Sequence, residues 1–209
     1  MCFGGHVVII DAVLETFCVS AFAAWPIGML PSGNLLQLSG QLAAADVGTA
    51  MAVLAIYNRT GQDTAAQGAS ALLRHMIDAS CLIAPGGLRV HDTATGATVN
   101  PGCCFGLETW REWQTVIDGQ APWLGHSPSP WIEHLDRRIR IWPDGGGQAA
   151  PATAKTPVEI TIVELPGLIN AAHRQLREFL DLVEPWAVAL GEPRARELAS
   201  AIGRHFHIT

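Results

Sequence analysis

Between Val7 and Trp25 the chain runs almost unbroken through apolar residues, and its first Lys or Arg is Arg59. Such a stretch has to be buried, and three destinations compete: a membrane, a secretion leader or a protein core. A leader carries basic residues ahead of its apolar segment, and none stands here. Asp11 and Glu15 lie inside the run, and an Asp near a bilayer centre costs about 2.5–3.5 kcal/mol on the insertion scale. A core is the remaining destination, so the run is expected to form a buried helix or a strand followed by a helix. The alternative is that Met29 is the natural start and residues 1–28 are an upstream extension.

A chain of 209 residues with 49% hydrophobic content has enough apolar surface for one full core without disulfides or metal. Its texture changes along its length in the manner of a single α+β domain covering 1–209. Gln41 to Tyr57 is Ala-rich with apolar residues near the 3.6 period, and Asp63 to Ala79 repeats the pattern; together they predict an N-terminal helical hairpin. Short β-compatible runs follow at Cys81–Ala84, Leu88–His91 and Ala97–Val99, separated by Pro/Gly and Thr/Gly turns. Glu108 to Ile117 reads as a helix capped by Thr109, with Trp110, Trp113 and Ile117 on one face. Trp131–His134 and Arg138–Trp142 read as a strand pair, with Ile139 and Ile141 on one side and Arg138, Arg140 and Trp142 on the other. Residues 144–156, rich in Gly, Ala and Pro, form a flexible internal loop. Val158–Val163 resumes as a strand. A helix then runs from Pro166 to about Val183, to be ended or kinked by Pro185, and a last one spans Pro193 to His205. The expected architecture is a central antiparallel sheet of five or six short strands with the C-terminal helices packed on it.

The formal charge of −6 argues against nucleic acid as a partner, because neutralising phosphates needs clustered Lys and Arg. The densest basic run, Arg137, Arg138 and Arg140, is flanked by Glu133 and Asp136. The five cysteines, Cys2, Cys18, Cys81, Cys103 and Cys104, are odd in number and irregular in spacing, so they form no disulfide framework. A reducing, cytoplasmic setting with no membrane partner is expected. Cys18 and Cys81 sit in apolar runs and read as small buried hydrophobes.

Five of the seven tryptophans lie between Asn100 and Pro143, which selects that segment as the place to look for function. Its first block, Asn100 to Leu107, contains the adjacent thiols. A thiol just before a helix is activated by the helix N-terminus, so Cys104 with His126 or His134 is the candidate nucleophile pair. The simpler expectation is that one of the two cysteines packs inward while the glycines permit a tight entry to the helix. The second block, Pro122 to Trp131, is a Pro/Gly loop in which Trp123 and Trp131 bracket His126. Trp123, His126, Trp131, Trp110 and Trp113 are the candidate binding residues, since Trp is enriched at interaction hot spots. Cys103, Cys104, His126, His134, His205 and His207 are ligand types, but without metal-site spacing no metal and no cofactor is assigned. His205 and His207 are expected on opposite sides of a frayed tail. Glu108 and Glu112 read as a solvated face.

The blocks Pro101 to Trp113 (PGCCFGLETWREW) and Pro122 to Trp131 (PWLGHSPSPW), with Ala84 to Gly96, resemble those of uncharacterised actinobacterial proteins. The resemblance covers roughly the middle third of the chain and implies no activity. The leading expectation is a cytosolic, non-catalytic protein-interaction domain of the immunity or regulatory kind, whose partner is another protein. The competing one is a small-molecule enzyme or binder using a Cys–His site beside a Trp-lined loop.

Overall fold

A computed structural model describes residues 7–58, 68–145 and 156–209 of the chain. Over these residues the fold is α+β, with five helices and two antiparallel sheets of four and three strands. The internal loop expected at residues 144–156 and the start of the second helix, Asp63 to Gln67, fall mostly or wholly outside the described residues.

The apolar N-terminal run becomes β1 (Val8–Glu15). It is an interior strand of the first sheet, between β2 (Leu35–Gln37) and β3 (Gly86–Asp92), with β4 (Thr98–Val99) beyond β3. Ile10 to Leu14 are all buried, which is why the run does not alternate: a strand covered on both faces reads as continuous hydrophobicity. No helix forms in the run or follows it; Thr16 to Gly33 is irregular up to β2, correcting both the buried-helix and the strand-plus-helix expectations. Asp11 is tolerated at 5% exposure because register places Arg89 directly opposite. Its carboxylate accepts from Arg89 Nη2 and from Gln37 Nε2, both at 2.9 Å, so the buried charge is paired and hydrogen-bonded.

Two helices, α1 (Ala44–Tyr57) and α2 (Ala69–Asp78), pack on each other as the Ala-rich pattern requires. They follow the first two strands and so are not N-terminal in the fold. Cys81–Ala84 forms no strand; Pro85 makes an isolated bridge with Gly106, and β3 begins at Gly86. Cys18 is half-buried and Cys81 is exposed, so neither is the buried hydrophobe their neighbours suggest.

The helix expected over Glu108 to Ile117 is a 3-10 helix, Leu107–Asp118. Its buried residues are Leu107, Trp110, Trp113 and Val116, a strict three-residue repeat that a 3-10 helix stacks along one edge. A 3.6 period would have turned Ile117 inward; it is exposed, and Val116 takes its place. The cap is Gly106 rather than Thr109, whose hydroxyl instead donates to the Gly106 carbonyl at 2.8 Å.

The second sheet has the order β5–β6–β7, with β5 Trp131–Leu135, β6 Arg138–Trp142 and β7 Val158–Thr161. The seven strands of the described residues therefore divide between two sheets rather than forming one central sheet of five or six. Ile132, Ile139, Ile141, Val158 and Ile160 face the core. On the other side Arg140 bonds Glu159 at 2.7 Å and Trp142 Nε1 donates to Glu133 at 3.0 Å.

The long helix α3 (Leu165–Ala189) is the hub, lying against β1, α1, the 3-10 helix and α4 (Ala195–His205). Pro185 does not end it. The turn beyond is held by buried Trp186, packed edge-to-face on Trp25 with ring centroids 5.4 Å apart. The C-terminal tail is likewise fixed. Phe206 and Ile208 are buried, Trp110 Nε1 donates to the Phe206 carbonyl at 2.8 Å, and His173 Nε2 meets the Ile208 carbonyl at 2.8 Å.

Candidate functional site

Two loops that are separate in sequence are joined backbone to backbone. The Gly102 amide donates to the Leu124 carbonyl at 2.8 Å, Cys103 donates to His126 at 2.7 Å, and His126 returns a bond to Cys103 at 3.1 Å. Both glycines at the crossing are required by the closeness of the chains. A methyl group on Gly102 would collide with the Pro128 carbonyl and the His126 amide, and one on Gly125 (φ +97°) would collide with the Gly102 backbone. The loop from Pro122 is anchored by buried Leu124, which leaves Trp123 pointing outward at 56% exposure.

In extended chain, consecutive side chains diverge to opposite sides. Cys104 has φ +63°, and in this left-handed turn the Cys103 and Cys104 sulfurs come within 3.5 Å. The ligand atoms of Cys103, Cys104 and His126 all lie within 4.8 Å of one another, and all three residues are exposed. Neither thiol packs inward, correcting that expectation. Trp123 stands beside this group, its ring 6.3 Å from His126 and 6.4 Å from Phe105.

The surroundings are acidic. Burial lifts the Tyr57 phenol above its ordinary value, and Cys104 and Cys103, once ionised, together with Glu15 and Glu108 add to that effect. Burial also raises the Glu15 carboxyl. The Cys103 thiol is held above the ordinary thiol range, first by its hydrogen bond with Cys104, then by desolvation and the charges of Cys104 and Glu15. The first amide of the following helix is not turned to the thiols. The 3-10 helix begins at Leu107, whose amide is already given to the Ala84 carbonyl at 2.8 Å. Alkylation of Cys103 by iodoacetamide is therefore expected to be slower at neutral pH than that of an unstructured thiol peptide. It should quicken as the pH rises past the usual thiol range, and at fixed pH in Cys104→Ala. Peptide mapping by mass spectrometry reads both effects; an unchanged Cys103 rate in the variant would show that the sulfur–sulfur contact does not govern it.

The other sequence candidates are dispersed. Trp110 and Trp113 are 0% and 1% exposed, which places them in the core and out of reach of a partner. Trp131 stacks on Trp142 across the second sheet, with ring centroids 5.8 Å apart at 9°. His134 is engaged by the Gln120 carbonyl at 2.9 Å and His205 by the Ala79 carbonyl at 3.2 Å. His207 is exposed at the C-terminal turn. Glu108 is not simply solvated, since its carboxylate accepts from the Ala84 amide at 3.0 Å. Tyr57 and Glu15 escaped the sequence reading. They lie 46 or more positions before Cys103 and carry no local motif, so only the fold brings them near the thiols.

No family model, curated protein or solved structure matches the chain. Among the described residues no helix is long and apolar enough to cross a membrane.

Proposed function

We propose that this protein is a small-ligand binder whose site is the Cys103–Cys104–His126 group beside Trp123. The observation that carries this reading is the convergence of three exposed ligand-type side chains from two loops locked together by paired backbone bonds. A rigid backbone presenting adaptable, solvent-accessible donors is what a binding site requires. Catalysis is not part of the reading, which rests only on the convergence of ligand-type side chains.

Native mass spectrometry of the reduced protein, isolated without chelator, is expected to show a small non-covalent adduct. The adduct should disappear in Cys103→Ser/Cys104→Ser. Identical spectra for the two proteins would count against the site.

A second reading, docking of a partner protein, is favoured by the exposure of Trp123, since exposed Trp is a frequent anchor at interfaces. Trp123→Ala separates the two readings. It removes the docking anchor but leaves every sulfur and imidazole in place, so a ligand adduct that survives the substitution supports the small-ligand site.

A further inference from the structure

We propose that Cys103, Cys104 and His126 coordinate a thiophilic d10 metal ion, Zn2+ or Cu+. The proposal rests on the small-ligand reading above and names its ligand class. Three observations support it.

The first is the sulfur spacing. Two thiolates on one tetrahedral zinc, with Zn–S bonds of about 2.3 Å, are separated by about 3.8 Å. The two sulfurs here are 3.5 Å apart, so an ion can bridge them with a side-chain adjustment of a few tenths of an ångström. The imidazole lies within 4.8 Å of both and closes the set by a change of rotamer.

The second is the freedom of the His126 ring. His75, His134, His173 and His205 each commit Nε2 to a backbone carbonyl, and His91 commits Nδ1 to the Thr98 hydroxyl. Among the described residues His126 makes no side-chain hydrogen bond; its ring contact is with Trp123. A nitrogen lone pair is thus available beside two sulfurs.

The third is the donor chemistry. Two thiolates with one imidazole are a soft set that selects Zn2+ and Cu+ over Mg2+ or Ca2+. As each sulfur–metal bond forms, the thiol gives its proton to solvent. Three protein ligands leave a coordination position open on zinc, which solvent can fill, and the exposure of all three residues leaves the ion a direct path in. Glu15 adds negative charge near Cys103, which attracts a cation.

The experiment is titration of the full-length, reduced protein with Co2+ as an optical probe under anaerobic conditions. One equivalent should produce thiolate-to-cobalt charge-transfer absorption and quench Trp123 fluorescence. Zn2+ should displace the cobalt, and a parallel titration should show whether the protein holds Cu+ against bicinchoninate. Cys103→Ser/Cys104→Ser should abolish the band, His126→Gln should weaken binding about tenfold or more, and Cys81→Ser should leave it unchanged. Circular dichroism establishes that each variant is folded. A wild-type protein with no band, a band that persists in the double variant, or a band lost with Cys81→Ser would overturn the proposal. If native mass spectrometry finds an organic adduct that depends on the two thiols while no metal binds, the metal assignment fails and the small-ligand site stands. If neither adduct nor metal is found, both fail.

Discussion

Trp110→Ala is expected to destabilise the fold by about 3–5 kcal/mol, the range for truncating a buried aromatic. At this chain length that corresponds to a fall in Tm of roughly 6 to 20 °C. The indole is fully buried, and its Nε1 ties the 3-10 helix to the Phe206 carbonyl at the C-terminal turn. Trp113 is just as deeply buried, yet its Nε1 has no hydrogen-bond partner. The two positions therefore separate packing from hydrogen bonding. Trp110→Phe loses volume and also leaves the Phe206 carbonyl without this donor, a cost of about 1–3 kcal/mol. Trp113→Phe loses volume but removes an unsatisfied polar group. Trp110→Phe should thus be clearly the less stable of the pair in urea denaturation. Equal midpoints would mean that the C-terminal turn is not held through Trp110.

Gly102→Ala is expected to part the two loops that carry the thiols and His126. The added methyl would meet backbone atoms of His126 and Pro128, which cannot rotate away as a flexible side chain can. Overpacking of this kind costs about 1–3 kcal/mol. The local sign is loss of hydrogen-exchange protection at the Cys103 and His126 amides, which bond each other's carbonyls. Gly167→Ala is the matched control. It sits in α3, where an added methyl would have no neighbour within 4 Å and φ is not positive, so it should stabilise by about 0.5–1 kcal/mol. Retained protection in Gly102→Ala would show that the loops tolerate separation without losing their pairing.

The α+β class, the helices around Gln41–Tyr57 and Pro166–Val183, and the inward Ile139 and Ile141 follow from period and propensity alone. The departures have identifiable physical causes. A 3.6 period and a period of three agree over Trp110 and Trp113 and part only at the next residue, where the choice of Val116 over Ile117 is made by packing. Continuous hydrophobicity over Ile10 to Leu14 describes a strand covered on both faces as well as a helix, and only partners distant in sequence decide between them. Pro185 is carried inside α3 because Trp186 finds Trp25 beyond it. At the site, both cysteine-bearing and histidine-bearing blocks stand out by their composition. Their juxtaposition does not, because Cys103 and His126 are joined through glycines whose role is close backbone approach. Metal-ligand spacing in sequence is diagnostic only when one turn or helix supplies the ligands. Here two loops supply them.

The interior position of β1 also governs how the chain can reach this structure. The strand emerges well before its longer partner, β3; the Asp11–Arg89 pair alone spans 78 residues. Its cover from α3 comes later still, at Leu165–Ala189. Pairings this distant raise the contact order and slow folding. Until they are made, an apolar strand with unpaired edges stays exposed on the nascent chain, the condition under which chains associate with one another or with chaperones. A segment sheltered on both sides in the finished protein is thus one that must wait for its shelter.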